Sequence, residues 1–439
     1  MGPVWIAVAF VALAIAVYVL SNPARQDFYD HFVWQADAWL DGRAAIPFPY
    51  DDGLHDNAYF QDVYPLADQP GFALLPFPPL PAVVLLPFVW LYGLGTNAAL
   101  VAAVLGGINV GLCWRMVSRV VQRRDAAILA TAFYGFGTVA WYAAMLGSTW
   151  FLAHVVASTF LFLGITAALD AEAREAAAGG ARRLLGVIEP RQFVAGILFG
   201  TAALARLTTI FGAPFFIWVG GGGSYLRRAV SAGLGAMIPV TLLLAYNIAT
   251  TGHIFNPAYE YLYRNEYRPD PTLYHPEWAI EDPRYIPQNA GIMLLWPPET
   301  PQIDDPECER FGDPDLGPIW YLLDDVCPIL RPDPIGMSLL LTSPAYLLAI
   351  PALARLRRRR LVIGAALAVG AIALLNLMHF SQGWVQFGYR FSNDFAPFAM
   401  IPVALGIARL GVRPLTIVMV VASILINAWG VYWGVTLGW

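Results

Sequence analysis

Apolar runs of about 18 to 22 residues recur along most of this chain, which is the length an α-helix needs to cross roughly 30 Å of hydrocarbon. A backbone inside lipid must satisfy its own hydrogen bonds, and only helices or a closed barrel do so. The runs here are continuous rather than alternating, so helices are expected. Composition agrees, because 439 residues that are 58% hydrophobic and 13% charged carry too few polar groups to cover soluble globules. Residues 3–20 form the first run. No basic residue precedes them and many further runs follow, so they read as a retained helix rather than a cleaved leader.

All 26 basic residues are arginine, since the chain has no lysine. That closes two function classes: a P-loop needs its lysine on the phosphates, and Schiff-base chemistry needs an amine. The chain also lacks HExxH, CxxC and a GxGxxG that follows a strand, and "GGGGS" at 220–224 reads as a flexible turn. Cys113 lies in an apolar run and reads as inert packing. Cys308 and Cys327 share one long polar segment and are candidates for a disulfide if that segment faces an oxidising compartment.

Cytoplasmic loops of membrane proteins collect basic residues, and 17 of the 26 arginines fall into five clusters. These are Arg115, Arg119, Arg123 and Arg124; Arg174, Arg182, Arg183 and Arg191; Arg227 and Arg228; Arg355 with Arg357 to Arg360; and Arg409 with Arg413. Placing all five inside sends residues 22–70, with nine acids against two arginines, and residues 250–335, with sixteen against five, to the outside. The expected architecture is an all-α polytopic membrane protein of about 11 or 12 membrane elements with two extracytoplasmic loops. Residues 1–21 form the first transmembrane helix, 22–70 the first outer loop with an interfacial helix, 71–249 a set of transmembrane helices, 250–335 the large outer loop, and 336–439 the last helices. Spans are expected near 126–146, 149–169, 194–220 with a break at Arg206, 229–249, 336–353, 361–378, 396–411 and 414–434. Residues 72–94 must enter and leave on one side, and the prolines of "LLPFPPLPAVVLLPF" suit a re-entrant or broken element.

The first polar stretch, "RQDFYDHFVWQADAWLDGR" at 25–43, places four aspartates and a histidine among five aromatic rings where the chain leaves the apolar phase. Phe28, Phe32, Gln35, Ala36 and Trp39 recur at helical spacing, so a helix lying along the membrane surface is expected. Asp37 and Asp41 read as its solvated face. Asp27 and Asp30, beside His31, come first after the membrane exit, where partial desolvation raises a carboxylate's basicity and suits it to take a proton. Ionisable residues inside apolar runs are functional candidates by default. His154 is one, with a hydrogen bond between helices as its structural alternative. Arg206 is a second, a phosphate ligand or one half of an ion pair. Arg390 is a third, a phosphate ligand or the salt-bridge partner of Asp394 one helical turn on. Together they suggest an outward-facing pocket in which carboxylates activate an acceptor and arginines grip an anionic group.

Six stretches, "DHFVWQADAWLDGR" at 30–43, "PFPPLPAVVLLPF" at 76–88, "WFLAHVVA" at 150–157, "ALARLT" at 203–208, "GMSLLLTSPAYLLA" at 336–349 and "QFGYRFSNDFAPF" at 386–398, resemble in order and spacing the multispanning GT-C glycosyltransferases related to protein mannosyltransferases and aminoarabinose transferases. The resemblance implies a GT-C fold in a bacterial plasma membrane, an outer-face active site, a polyprenyl-phosphate sugar donor, and a catalytic aspartate in the first outer loop, which here is Asp30 or Asp27. The paired acidic motif typical of the mannosyltransferases is absent. Arg206 and Arg390 would hold the donor phosphate, and His31, His154 and Asp394 are further site candidates. The acceptor would be a glycan, lipid or protein, membrane lipid would surround the chain, and no nucleic-acid partner is expected. A divalent cation, magnesium or manganese, stays open, with no firm ligand set in the sequence. The competing class is a non-catalytic scaffold subunit on the same framework. A transporter or flippase would need a continuous polar path through the bundle, and few intramembrane charges exist to make one.

Overall fold

The computed structural model describes residues 3–24, 29–179, 188–265, 275, 277–301, 324 and 327–439. The first third runs α1 (Val4–Ser21), α2 (His31–Leu40), the short strands β1 (Ile46–Pro47), β2 (Tyr64–Pro65) and β3 (Phe72–Leu74), then α3 (Leu80–Tyr92), α4 (Ala98–Val120), α5 (Arg124–Phe136) and α6 (Ala140–Leu146). The middle holds α7 (Thr149–Ala178), α8 (Pro190–Ala203), α9 (Ala213–Trp218), α10 (Tyr225–Thr251), α11 (Ala258–Asn265) and α12 (Ile286–Leu294). The last part holds α13 (Leu339–Thr342), α14 (Ile350–Leu356), α15 (Arg360–Met378), α16 (Ser392–Leu410) and α17 (Pro414–Thr436). The chain is thus mostly helical. Among the described residues six helices, α1, α4, α7, α10, α15 and α17, are long and apolar enough to cross a membrane, and a seventh span arises if α5 and α6, bent by 46°, are taken together.

Helix α16 is the axis of the bundle. It is buried along its whole first half and beyond, from Ser392 to Ala404, with α4, α5, α7 and α15 packed around it. Helices α8 and α10 approach to backbone contact because small residues line their seam. A Cβ at Gly196 would stand 2.0 Å from the Ala232 carbonyl oxygen, and one at Gly235 would stand 2.0 Å from that of Phe193. Four residues on from Gly196, Gly200 repeats the contact against Ala236, the small-residue spacing that lets membrane helices pack closely. Buried amides add polar ties between helices: the Asn109 amide donates to the Val155 carbonyl (2.8 Å) and that of Asn427 to the Thr342 carbonyl (2.8 Å).

The expected break at Arg206 is present. Helix α8 stops at Ala203, Arg206 is extended (φ −142°, ψ 105°), and a 3-10 turn over Leu207–Gly212 leads into α9. The Leu204 carbonyl freed by the break accepts from the Leu80 amide at the start of α3 (2.9 Å), so the proline-rich element is anchored there. That element is the 13-residue helix α3 with Pro87 inside it.

Among the described residues, members of the arginine clusters come together at one end of the bundle. Arg119 holds Asp170 on α7 (Nη2 to Oδ2, 3.1 Å), Arg360 holds Glu172 (2.8 Å), the Gly220 and Gly222 amides donate to Glu172 and Glu175, and Arg228 donates to the Gly220 carbonyl (2.7 Å). Arg123 and Arg413 flank Gly411. At the other end of α7, Thr149 meets the start of α2, where its hydroxyl receives the His31 amide (3.2 Å). From Thr149 to Asp170 an α-helix rises about 31 Å, the thickness of a bilayer's hydrocarbon layer.

The two polar segments cover the Thr149 end. In the first, β1, β3 and β2 form an antiparallel sheet in that order, and α2 lies beneath it. Its cover is more extensive than the single apolar face that the spacing indicates. Phe32, Val33 and Ala36 pack against α3 and α7, while Trp34 and Ala38 pack against Ile46, Phe60 and Ala73 of the sheet side, so both faces of α2 are covered. The second segment docks on the end of α15: the Asp282 amide donates to Met378 (2.8 Å), and the Asn289 amide donates to Leu377 (2.9 Å) and His379 (2.8 Å). The two segments also touch each other, through the Asn256 amide on the Leu75 carbonyl (3.0 Å) and the Tyr64 and Tyr261 rings. Cys327 is disulfide-bonded; Cys308 lies outside the described residues. Cys113 is free and buried, as its apolar run requires.

Because Gly196 meets backbone rather than a movable side chain, Gly196→Ile must push α8 and α10 apart. Overpacking of this kind costs about 2 kcal/mol or more, so the thermal unfolding midpoint in detergent should fall by several degrees, whereas Gly233→Ala, where a Cβ meets nothing within 4 Å, should hold it or raise it slightly.

Candidate functional site

One carboxylate organises the charged interior. Asp394 sits in the first turn of α16 with its side chain fully enclosed. Its Oδ1 accepts from His154 Nδ1 (2.8 Å) and Arg206 Nε (3.2 Å), and its Oδ2 from Arg206 Nη2 (3.0 Å) and the Thr208 hydroxyl (2.7 Å). Those four bonds use every lone pair the group presents, as a buried carboxylate requires. The donors come from α7, from the break after α8 and from the turn that follows it. His154 lies five residues from Thr149, so the network sits about 8 Å inside the capped rim of the bundle.

Two expectations are settled by this geometry. The Arg390–Asp394 salt bridge does not form: α16 begins only at Ser392, so the pair does not share a helical turn, and the ion pairs of Asp394 among the described residues are to Arg206 and His154. Arg206 is half of an ion pair, yet Nε and one Nη suffice for it, and its other Nη has no hydrogen-bond partner among the described residues. The hydrogen bond to a carboxylate places the proton of His154 on Nδ1. His154 also lines a small cavity of ≈ 10 Å³ shared with Tyr134, Ser158 and Asn393, and its buried Nε2 has no hydrogen-bond partner among the described residues.

Arg390 stands beside this network. Its guanidinium lies 5.3 Å from the centre of the Phe391 ring, and that of Arg206 lies 5.1 Å from the same ring. It also faces Trp150 (5.9 Å) and Phe151 (5.7 Å). The space it fills exists because residue 383 is glycine: at φ +92°, a Cβ there would fall 2.5 Å from the Arg390 Cζ. Two guanidiniums, those of Arg206 and Arg390, thus face one ring beside the Asp394 carboxylate.

Trp150, the first residue of the "WFLAHVVA" stretch, joins the arginines to the cap. Besides facing Arg390, its ring meets Tyr29 (5.1 Å) and His31 (5.7 Å), and its Nε1 donates to Asp62 Oδ2 (2.8 Å). Asp62 is half-buried with φ +57°, an uncommon conformation for a residue other than glycine. It is one of nine acids in its segment, and only a partner 88 residues away distinguishes it. Tyr259 is the other residue absent from the sequence reading. Burial pushes its phenol up to about 12, with Arg206 pulling against that shift and Asp62 and Glu281 adding to it, which places the ring among those three charges.

The remaining candidates are placed as follows. Asp30 is half-buried at the N-cap position of α2, where its carbonyl accepts from Val33 (2.9 Å) and Trp34 (3.1 Å) and its side chain makes no cap bond. Asp27 lies outside the described residues. His31 is fully buried: its Nδ1 meets the Thr149 hydroxyl (2.8 Å), its Nε2 meets the Gln61 carbonyl, and its ring stacks on Phe60 at 4.4 Å. It fastens α2 to α7. Among the described residues no three His, Cys, Asp or Glu side chains come together to hold a metal, and Asp394 has no lone pair left for one.

No family model, curated protein or solved structure matches the chain. Fold and site together define a polytopic helical membrane protein with a buried charged network just inside one capped end.

Two tests follow from these contacts. Asp394→Asn leaves Arg206 buried without its counter-charge and should cost about 3 kcal/mol; adding Arg206→Gln should recover a measurable part, so a double-mutant cycle of thermal midpoints in detergent should show coupling above 1 kcal/mol. His31 is held below its ordinary pKa near 6.5 by burial. The unfolded chain therefore takes up a proton before the native one, and stability should fall as pH drops through about 6.5. A scan of melting temperature from pH 8 to 5 should show that slope in the native protein and a flatter one in His31→Asn.

Proposed function

We propose that this chain is a GT-C-type membrane glycosyltransferase, which moves a sugar from a polyprenyl-phosphate donor to a glycan, lipid or protein acceptor at the outer face of a bacterial plasma membrane. The observation that carries the reading is the convergence of Arg206 and Arg390 on one ring, about 8 Å inside the capped end. A donor with its chain in lipid presents its phosphate at that depth, and the planar forks of two guanidiniums suit a phosphodiester monoanion. On this reading the six long helices, the bent pair, the three shorter apolar segments and α16 make eleven membrane elements. The arginine end is cytoplasmic and the two polar segments are outside.

In the transfer, the acceptor hydroxyl loses its proton to a carboxylate and its oxygen bonds to the anomeric carbon. The bond from that carbon to the phosphate oxygen breaks, and the polyprenyl phosphate leaves with a second negative charge. Arg390, with the unbonded Nη of Arg206, stabilises that growing charge, and both are fixed before the reaction starts. Asp30 is the first candidate for the base, with Asp27 beside it in sequence. Asp62 is a third carboxylate on the same cap, one hydrogen bond from the ring that Arg390 faces. Tyr and Trp side chains of both outer segments supply faces for sugar rings.

A scaffold subunit without catalysis is the second reading. It is favoured by the way Asp394 commits Arg206 to an ion pair and by the structural N-cap position of Asp30.

Purified protein in nanodiscs containing acceptor-bearing membrane extract, given a radiolabelled polyprenyl-phosphate sugar, distinguishes the two. Transfer should fall about 100-fold or more when the base is changed, in one of Asp30→Asn, Asp27→Asn and Asp62→Asn. In Arg390→Gln it should fall by about the same factor. Transfer no higher than in protein-free nanodiscs would leave only the scaffold, and wild-type rates in all four variants would remove these residues from the mechanism.

A further inference from the structure

At the opposite end of the bundle from Asp394, α14 turns into α15 through Arg357, Arg358 and Arg359, with Arg355 and Arg360 on either side. Five guanidiniums thus lie within six residues. Arg360 is spent on Glu172 (2.8 Å). The other four side chains are exposed, and they form no ion pair or hydrogen bond with any described residue. They surround a cleft of ≈ 360 Å³ that is walled by this one turn, from Ala354 to Arg359.

The surroundings of the cleft indicate its occupant. On the α14 side, Leu347, Ile350 and Leu353 present exposed aliphatic surface, at 38%, 56% and 39%. On the α15 side, Trp218 packs beside Gly364, one turn below Arg360, and stacks edge-on against Tyr225 at 4.9 Å. A Trp–Tyr pair of this kind marks the level at which hydrocarbon gives way to headgroups. The α7 axis puts this level about 31 Å from the outer rim. Arginines at the water side of that boundary, unpaired and next to bare aliphatic surface, match a molecule with an anionic head and acyl chains.

We propose that the Arg355–Arg359 turn is a binding site for anionic phospholipid, with the phosphate of the headgroup in the arginine cleft and the acyl chains along Leu347, Ile350 and Leu353. The site is independent of sugar transfer. It uses none of the residues of the Asp394 pocket, and it holds whether that pocket is catalytic or not. Guanidinium is suited to the task because its planar fork takes two phosphate oxygens at once and is weakly hydrated.

The test is native mass spectrometry of the full-length protein in detergent, titrated with dioleoyl phosphatidylglycerol and, separately, with dioleoyl phosphatidylcholine. The wild type should prefer phosphatidylglycerol, and 0.5 M salt should reduce the preference. Each arginine near an anionic headgroup contributes roughly fivefold in affinity. The triple variant Arg357→Gln, Arg358→Gln, Arg359→Gln should therefore bind phosphatidylglycerol about 100-fold more weakly and phosphatidylcholine as before. These residues hold no partner, so the fold should persist, and an unchanged melting temperature checks that. The corresponding triple lysine variant keeps the charge and should keep the preference. Undiminished phosphatidylglycerol binding in the glutamine variant, or loss of the preference in the lysine variant, overturns the proposal and leaves the arginines as determinants of orientation alone.

Discussion

The fold of this chain is tied to one enclosed carboxylate. An aspartate with no exposure is tolerable only if donors surround it, because the uncompensated charge would cost several kcal/mol. Asp394 has its four donors from three places: His154 in the first third of α7, Arg206 in the break after α8, and Thr208 in the turn beyond. The break is therefore a requirement rather than a defect. A continuous α8 would carry Arg206 along the helix instead of turning its guanidinium to Asp394, and the freed Leu204 carbonyl has a partner of its own in the Leu80 amide. Irregular backbone at membrane depth survives where protein satisfies it.

Electrostatics divide the molecule into two ends of different character. At one end guanidiniums pair with Asp170 and Glu172 or lie open to the surroundings. At the other, two guanidiniums are drawn inward, stripped of most of their water, and set against aromatic rings. Such pairing is stronger where solvent is excluded. The cap over this second end rests on contacts to residues in direct sequence: Thr149 holds His31, and Trp150 holds Asp62, faces Arg390 and meets Tyr29.

The helices, the interruption at Arg206 and the gathering of arginines at one end follow from local features: the length of apolar runs, a charge inside one of them, and the sign asymmetry of the loops. These depend on neighbours in sequence, and a single chain displays them. The pairings inside the pocket do not. Asp394 meets His154 at a separation of 240 residues and Arg206 at 188, and the nearer candidate, Arg390, was the misleading one because the helix starts after it. The enclosure of α2 was hidden for another reason. Its cover is a sheet of strands two or three residues long, too short to show the alternation that marks a strand. Asp62 carried no local mark at all, and its role as a partner of Trp150 exists only in three dimensions.

Helix α7 runs unbroken for 30 residues, carrying Trp150 and His154 near one extremity and Asp170, Glu172 and Glu175 toward the other. It behaves as a stiff spar through the thickness of the bundle. A tilt imposed on the arginine side, whether by lipid packing or by a neighbouring protein, would be delivered undiminished to the ring beneath Arg390 and to the imidazole on Asp394. The two ends of the bundle are mechanically one body along that line.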